Sequence, residues 1–178
     1  MKLMIGAASL SSEKFAGLHE EAKKYFDEIV LNPYGRKLEE NEIYAMWDNA
    51  DAIIFGNEVY SAEVLAKAPK TLKVLAKNGV GYDTVDLKAA RARGIDVCNT
   101  PGANADSVAD TALALMLDVE RNIVRHDALM REGTWKRLGG HELRDMTVGV
   151  LGMGAIGKGV IKRATAFGMK AVAFDLFF

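Results

Sequence analysis

A single cysteine, Cys98, excludes an intrachain disulfide and points to a reducing, cytoplasmic compartment. It reads as a small apolar strand residue rather than a nucleophile. Charge of either sign is scarce in excess: the formal balance is −1, too little to draw the chain towards nucleic acid or a membrane surface. No apolar run nears the roughly 18 residues needed to cross a bilayer, and no cationic-then-apolar segment opens the chain. Repeats at solenoid spacing and low-complexity linkers are missing as well. Only three prolines occur, and each falls at a break between apolar segments. What remains is ordinary globular composition, 49% hydrophobic and 26% charged.

Against that background the stretch from Thr147 to Asp175 stands out. Thr147–Leu151 is apolar and β-branched, long enough for a buried strand and too short for a helix. Gly152, Gly154 and Gly157 follow in G-x-G-x-x-G spacing. The first permits a tight turn, the second lets backbone approach a pyrophosphate, and the third lets the next helix pack against the strand. A helix start then offers free N–H groups and the positive end of its dipole. A second strand, Lys170–Phe174, ends on Asp175. That residue lies about 20 positions past the glycines, where a carboxylate can bind a ribose diol. The pattern predicts dinucleotide binding; the alternative is a glycine-rich turn in some other α/β domain. Asp175 would repel a 2′-phosphate and no cation follows it, so NAD is expected rather than NADP. Only one β–α–β unit of about 30 residues fits after Thr147, which is half a cofactor site ending on apolar Phe177 and Phe178.

The earlier part alternates strands and helices. Strands are expected at Lys2–Ala8, Glu28–Leu31, Ala52–Phe55, Leu72–Ala76 and Ile95–Cys98. Between them, Ser11 or Ser12 caps a helix whose stripe runs through Phe15, Leu18, Ala22, Phe26 and Ile29. Further helices are expected at Leu38–Asp48, at Ser61–Ala68 before Pro69, and at Leu87–Arg93, capped by Asp86 and ended by Gly94. This rhythm implies right-handed crossovers and a parallel sheet covered on both faces. The expected class is α/β: a flavodoxin-like domain over residues 1–100, then an interdomain helix and arm over 101–146, then the first β–α–β unit of an incomplete Rossmann domain over 147–178.

In the middle segment, Ser107 and Asp110 have capping-box spacing. Val108–Val119 is apolar nearly all round and calls for cover on every side, at a domain junction or in a dimer interface. A polar helix continues over Arg121–Arg131, and Trp135, Leu138 and Leu143 anchor a loop-rich arm.

Several motifs occur together in order: N-G-V-G-Y-D over Asn78–Asp83, Val85-Asp86, Gly94-Ile95, N-T-P-G-A-N-A-D-S-V-A over Asn99–Ala109, Gly133 with Trp135, and Gly149 to Gly157. In this the chain resembles the D-isomer-specific 2-hydroxyacid dehydrogenases, and among them the phosphoglycerate dehydrogenase branch. The resemblance implies hydride transfer between C2 of a small 2-hydroxy or 2-keto acid and the nicotinamide of NAD. It implies that backbone N–H groups of Gly79, Val80 and Gly81 bind the substrate carboxylate. It places Asn104 near substrate and nicotinamide, Thr111 at the nicotinamide end, and Gly152, Gly154, Ala155, Ile156 and Gly157 on the pyrophosphate, with Asp175 on the ribose. Each has a plainer reading: a loop needing glycine geometry, a helix N-cap at Asn104, packing at Thr111.

Some positions depart from the pattern. Ala155 stands where many relatives carry Arg, with Lys158 a partial replacement, and Asp110 stands where Glu is usual. Asn57–Val59 lacks the Arg of some members, which weakens phosphoglycerate as substrate. The family's catalytic Arg, Glu and His are expected beyond residue 178. His19, His126 and His141 lie outside that catalytic context and read as surface or structural groups. No catalytic residue and no metal is therefore expected in these residues. Three readings stay open: an N-terminal part of a dehydrogenase, inactive alone; a non-catalytic NAD-sensing or interaction module of the same family; or a site completed by a second chain. A homodimer through the 105–145 region is expected, with no nucleic-acid or membrane partner.

Overall fold

A computed structural model describes residues 1–177; the expectation of an exposed Phe178 lies outside them. The chain divides into two compact units, Met1–Pro101 and Gly102 onward.

The first unit is one parallel sheet with helices between its strands. β1 (Lys2–Ile5), β2 (Glu28–Leu31), β3 (Ala52–Phe55), β4 (Val74–Lys77) and β5 (Asp96–Cys98) lie in the order β2-β1-β3-β4-β5. This is the flavodoxin-like order. The connecting helices are α1 (Ala16–Ala22), α2 (Glu40–Met46), α3 (Ala62–Ala66) and α4 (Leu87–Ala92). Local chemistry sets their starts. Glu39 and Glu42 form a reciprocal capping box on α2. Ser61 Oγ accepts the Val64 N–H at 3.3 Å on α3, and Asp86 Oδ1 accepts the Ala89 N–H at 2.9 Å on α4. The core joins Met4, Ile53, Phe55 and Leu75 of the sheet to Ile43, Val64 and Leu65 of the helices.

The amphipathic helix expected near the N-terminus is much shorter than its stripe. A single 3₁₀ turn over Glu13–Phe15 leads into α1, which stops at Ala22 and buries no residue. Ser12 holds the N-cap position of the 3₁₀ turn, but its hydroxyl makes no capping bond and donates instead to the Ser9 carbonyl at 3.1 Å. Phe26 falls in the turn after the helix and Ile29 inside β2. The helical spacing was fortuitous, because strand pairing of Glu28–Leu31 with β1 claimed its far end.

The second unit holds α5 (Ala105–Arg121), α6 (Ile123–Arg131), β6 (Thr147–Leu151), α7 (Ala155–Ala166) and β7 (Lys170–Phe174). β6 and β7 pair in parallel from Thr147 opposite Lys170 to Leu151 opposite Phe174. α5 lies against α7, and the core gathers Ala109, Leu113, Leu143, Val148, Val160, Ala164 and Met169. The Ser107–Asp110 capping box does not form. The helix begins at Ala105, so Ser107 is already inside it, and Asp110 bonds to Arg163 instead. α5 and α6 are separate because Asn122 takes a left-handed conformation, φ +53°. Within this unit α5 is covered on one stripe only: Leu113 is buried while Leu115 and Val119 stay exposed. Trp135 is 81% exposed and anchors nothing in the arm, whereas Leu143 is buried.

Candidate functional site

In the first unit, β3 and β4 deliver two loops to one end of the sheet. Phe55 and Lys77 are register partners at that end, and the Asn78 N–H donates to the Phe55 carbonyl at 2.8 Å. Ligands of open α/β sheets bind outside the carboxyl ends of the strands. The β4 loop turns at Gly79, whose φ of +139° is open only to glycine. Its acceptors are then consumed one by one. Gly79 O accepts the Thr100 N–H at 3.0 Å and the Thr100 hydroxyl at 3.1 Å, and Val80 O accepts the Asn99 amide at 2.7 Å. The N–H groups of Val80 and Gly81 have no acceptor among the described residues. A turn with its carbonyls taken and its donors free is selective for an anion.

Beside this turn sits a buried polar group that sequence reading missed. Lys77 is 7% exposed and Glu58 only 1%. Glu58 accepts the Gly56 N–H at 2.5 Å and the Leu38 N–H at 3.3 Å. The Lys77 ammonium donates to the Gly56 carbonyl, and to Asn57 Oδ1 at 3.1 Å. Burial, and then the nearby Glu58 charge, push the Tyr60 hydroxyl well above its ordinary range. The one sequence signal was a lysine closing an otherwise apolar strand run.

In the second unit the glycine turn follows β6. Gly152 has φ +97°, and its N–H closes the strand pair on the Phe174 carbonyl at 2.8 Å. A Cβ on Gly157 would stand 2.0 Å from the Gly152 carbonyl oxygen, so only glycine lets the helix start this close to the strand end. A Cβ on Gly154 would meet nothing within 4 Å; the protein itself does not demand glycine there. The N–H groups of Gly154, Ala155, Ile156 and Gly157 find no acceptor among the described residues. They open towards whatever lies above the helix start, as an anion site requires.

Asp175 reaches back over this turn. Its Oδ2 accepts the Met153 N–H at 2.5 Å and its Oδ1 the Phe177 N–H at 2.9 Å. These two bonds, Phe177 first, hold the carboxyl below its ordinary value of 3.8, with a smaller pull from Lys158. Lys158 thus spends part of its charge on Asp175. A carboxylate has about four acceptor positions, more than these backbone bonds occupy, which leaves room for a diol.

Asn104 and Thr111 share a shallow hollow of about 410 Å³ on α5 with Ser107, Val108, Ala112 and Leu115. Asn104 holds the N-cap position, yet its side chain makes no capping bond. Thr111 donates its hydroxyl to the Ser107 carbonyl at 2.9 Å. α7 is held to α5 by a contact no local pattern announces. Arg163 reaches Asp110 at 2.5 Å and Asp106 at 3.0 Å, and a Cβ on Gly159 would come within 3.0 Å of the Ala109 Cβ.

Each of the three histidines has one ring nitrogen engaged within its own unit. His19 Nε2 lies 2.7 Å from the Leu10 carbonyl, which half-buries a residue expected on a solvated face. His126 Nε2 accepts the Leu138 N–H at 3.1 Å, and His141 Nδ1 lies 3.1 Å from Glu120.

A family model described as "D-isomer specific 2-hydroxyacid dehydrogenase, catalytic domain" matches residues 10–175. The chain belongs to this family. Hydroxypyruvate reductase of Thermotoga maritima is 41% identical over 140 residues, 78% of this chain and 46% of its own. D-3-phosphoglycerate dehydrogenase of Mycobacterium bovis is 47% identical over 138 residues, 76% of this chain and 26% of its own. Among solved structures, the TT0316 protein of Thermus thermophilus superposes with a TM-score of 0.82 at 37% identity, covering 97% of this chain and 55% of that one. An NAD⁺-bound 3-phosphoglycerate dehydrogenase of Entamoeba histolytica gives 0.80 at 26% identity, covering all of this chain and 55% of that one. The chain spans less than half the length of these curated dehydrogenases. Among the described residues no helix is long and apolar enough to cross a membrane.

Proposed function

We propose that the chain carries the substrate-carboxylate turn and the pyrophosphate half of the NAD site of a D-2-hydroxyacid dehydrogenase. The observation that carries this reading is the start of α7: four unpaired N–H groups above a glycine turn, with the Asp175 carboxylate folded over it. The residues fit a dinucleotide. Gly154 keeps its space open from the outside, and Asp175 retains acceptors for a ribose diol while opposing a 2′-phosphate. When bound, NAD supplies a hydride acceptor and donor for C2 of the acid.

Everything else is the work of this chain. Val80 and Gly81 present two N–H donors to the carboxylate. Asn104, whose amide makes no capping bond, and Thr111 line the hollow assigned to the nicotinamide end. Oxidation of an alcohol also needs a group that takes the hydroxyl proton. His19 lies in the first unit's opening helix, and His126 and His141 flank the arm, none in the family's catalytic context, so we read these 178 residues alone as binding NAD without turning over. The exposed Leu115, Val119, Ile123 and Val124 support a homodimer through the 105–145 region.

The test is a calorimetric titration of the chain with NAD⁺ and NADP⁺, alongside NADH oxidation with a panel of 2-keto acids. Micromolar or weaker NAD⁺ binding, tighter than NADP⁺, with no turnover is the expected result. Equal binding of the two, or hydride transfer by this chain alone, refutes the respective assignment. Light scattering that returns a monomer refutes the dimer.

A further inference from the structure

We propose that the outer edge of β5 is a docking groove for an extended acidic segment of another protein, which adds to the first unit's sheet as a further strand. β5 ends the strand order on its side. The Asp96 N–H is turned inward and donates to the Lys73 carbonyl at 2.8 Å. In a parallel strand, successive residues send their N–H and C=O to opposite sides. Val97 therefore turns both groups outward, and neither has a partner among the described residues. Such an edge is a template for another strand.

α4 is the wall beside it. Helix and strand together enclose a groove of about 490 Å³, with Leu87, Ile95 and Val97 as its apolar lining and Lys88 and Arg91 as its cations. The two cations are three positions apart and share one helix face. Both are exposed, and neither makes a hydrogen bond or ion pair among the described residues. Arg93, two residues on, is the contrast. Its guanidinium donates to the Ala66 and Ala68 carbonyls at 2.9 and 2.5 Å, tying the end of α4 to the end of α3. Arg93 serves the fold; Lys88 and Arg91 do not.

Charge selects the occupant. Side chains alternate between the faces of a strand. Val97 packs against the core that Ala90 of α4 joins, so Asp96 belongs to the opposite face of the sheet. A strand laid along β5 presents every second side chain to Lys88 and Arg91, and acids fit there. The side chains between them lie on the face of Asp96, where acids do not fit. A second copy of this chain is the wrong partner. A two-fold axis pairs β5 antiparallel with itself and keeps like faces together, which sets Lys88 and Arg91 against their own copies. Like charges across such a pair destabilise it. Acids two positions apart on a strand are about 6.6 Å apart, within reach of two long cationic side chains one helical turn apart. The matching sequence is acid–x–acid.

The experiment is an NMR titration of the ¹⁵N-labelled chain with a capped peptide of alternating glutamate and threonine, read at the Val97 amide, which should shift to saturation. The peptide with glutamine for glutamate should bind about fivefold more weakly, the worth of two exposed ion pairs. The double variant Lys88→Gln, Arg91→Gln should lose the same factor for the glutamate peptide. Val97→Pro, a change that edge strands tolerate, removes the outward N–H and should weaken both peptides. Equal binding of the two peptides, or unchanged binding by the double variant, overturns the proposal, and so does full affinity in Val97→Pro. Both cations are exposed, so the double variant decides even where Val97→Pro does not fold. Two further outcomes also overturn it: a Val97 shift that grows with protein concentration alone, which assigns the edge to a second copy, and inorganic phosphate binding as tightly as the peptide, which leaves only an anion site.

Discussion

Two residues show how differently a glycine and an acid can serve one turn. Gly157 is required by the protein: any Cβ would collide with the Gly152 carbonyl oxygen at 2.0 Å. Gly157→Ala should therefore displace the helix start, destabilise the chain by about 1–3 kcal/mol as overpacking does, and abolish NAD⁺ binding, checked by denaturant melts and titration. Asp175 acts through charge. Its folded pKa lies below the ordinary 3.8, so its contribution is complete above that value and is lost as pH falls through the lower folded one. The Met153 amide resonance should titrate with a midpoint below 3.8. Asp175→Asn should remove that acid-side movement; a Met153 shift centred above 3.8 would show the bond from Met153 to be unimportant.

Between elements, the α5–α7 contact sets an ion pair against packing, and magnitude decides. Arg163 joins Asp106 and Asp110, but both carboxylates are well exposed. Screened pairs of that kind contribute about 0–1 kcal/mol. Arg163→Met should lower stability by less than about 1 kcal/mol. Gly159, by contrast, sits where a Cβ would come within 3.0 Å of the Ala109 Cβ. Gly159→Leu must push the helices apart, at about 1–3 kcal/mol. If denaturation midpoints rank the two variants the other way, the ion pair and not the close approach holds this contact. The β6–β7 pair shows a related imbalance. Parallel sheets are normally covered on both faces, yet Leu151 is 89% exposed and Val172 and Phe174 are also open.

At the scale of the whole chain, the two units have unequal cores. Among the described residues the core of the first gathers 16 buried residues, that of the second only seven. Apolar burial dominates stability, so calorimetry should resolve two transitions, with Gly102 onward melting first. NAD⁺ at about 100 times its Kd should stabilise that unit by about 2.7 kcal/mol and shift the first transition alone. A single transition, or a shift in the second, would contradict the placement of the dinucleotide turn.

Much of this was legible in the residues because the determinants are local. The strand–helix alternation, the cap at Asp86, and the glycine spacing before α7 depend on neighbours a few positions away, and they recur in the structure where the sequence placed them. The stripe from Phe15 to Ile29 misled because strand pairing with β1 outweighed helical spacing. The continuous helix through Arg121 failed because Asn122 turned left-handed. Lys77 and Asn57 are 20 positions apart, and Arg163 is 53 from Asp110. Chain order by itself determined the α/β rhythm and the donor-rich turns. Only tertiary structure decided which distant charges and amides meet there, because burial and hydrogen-bond geometry belong to the folded arrangement.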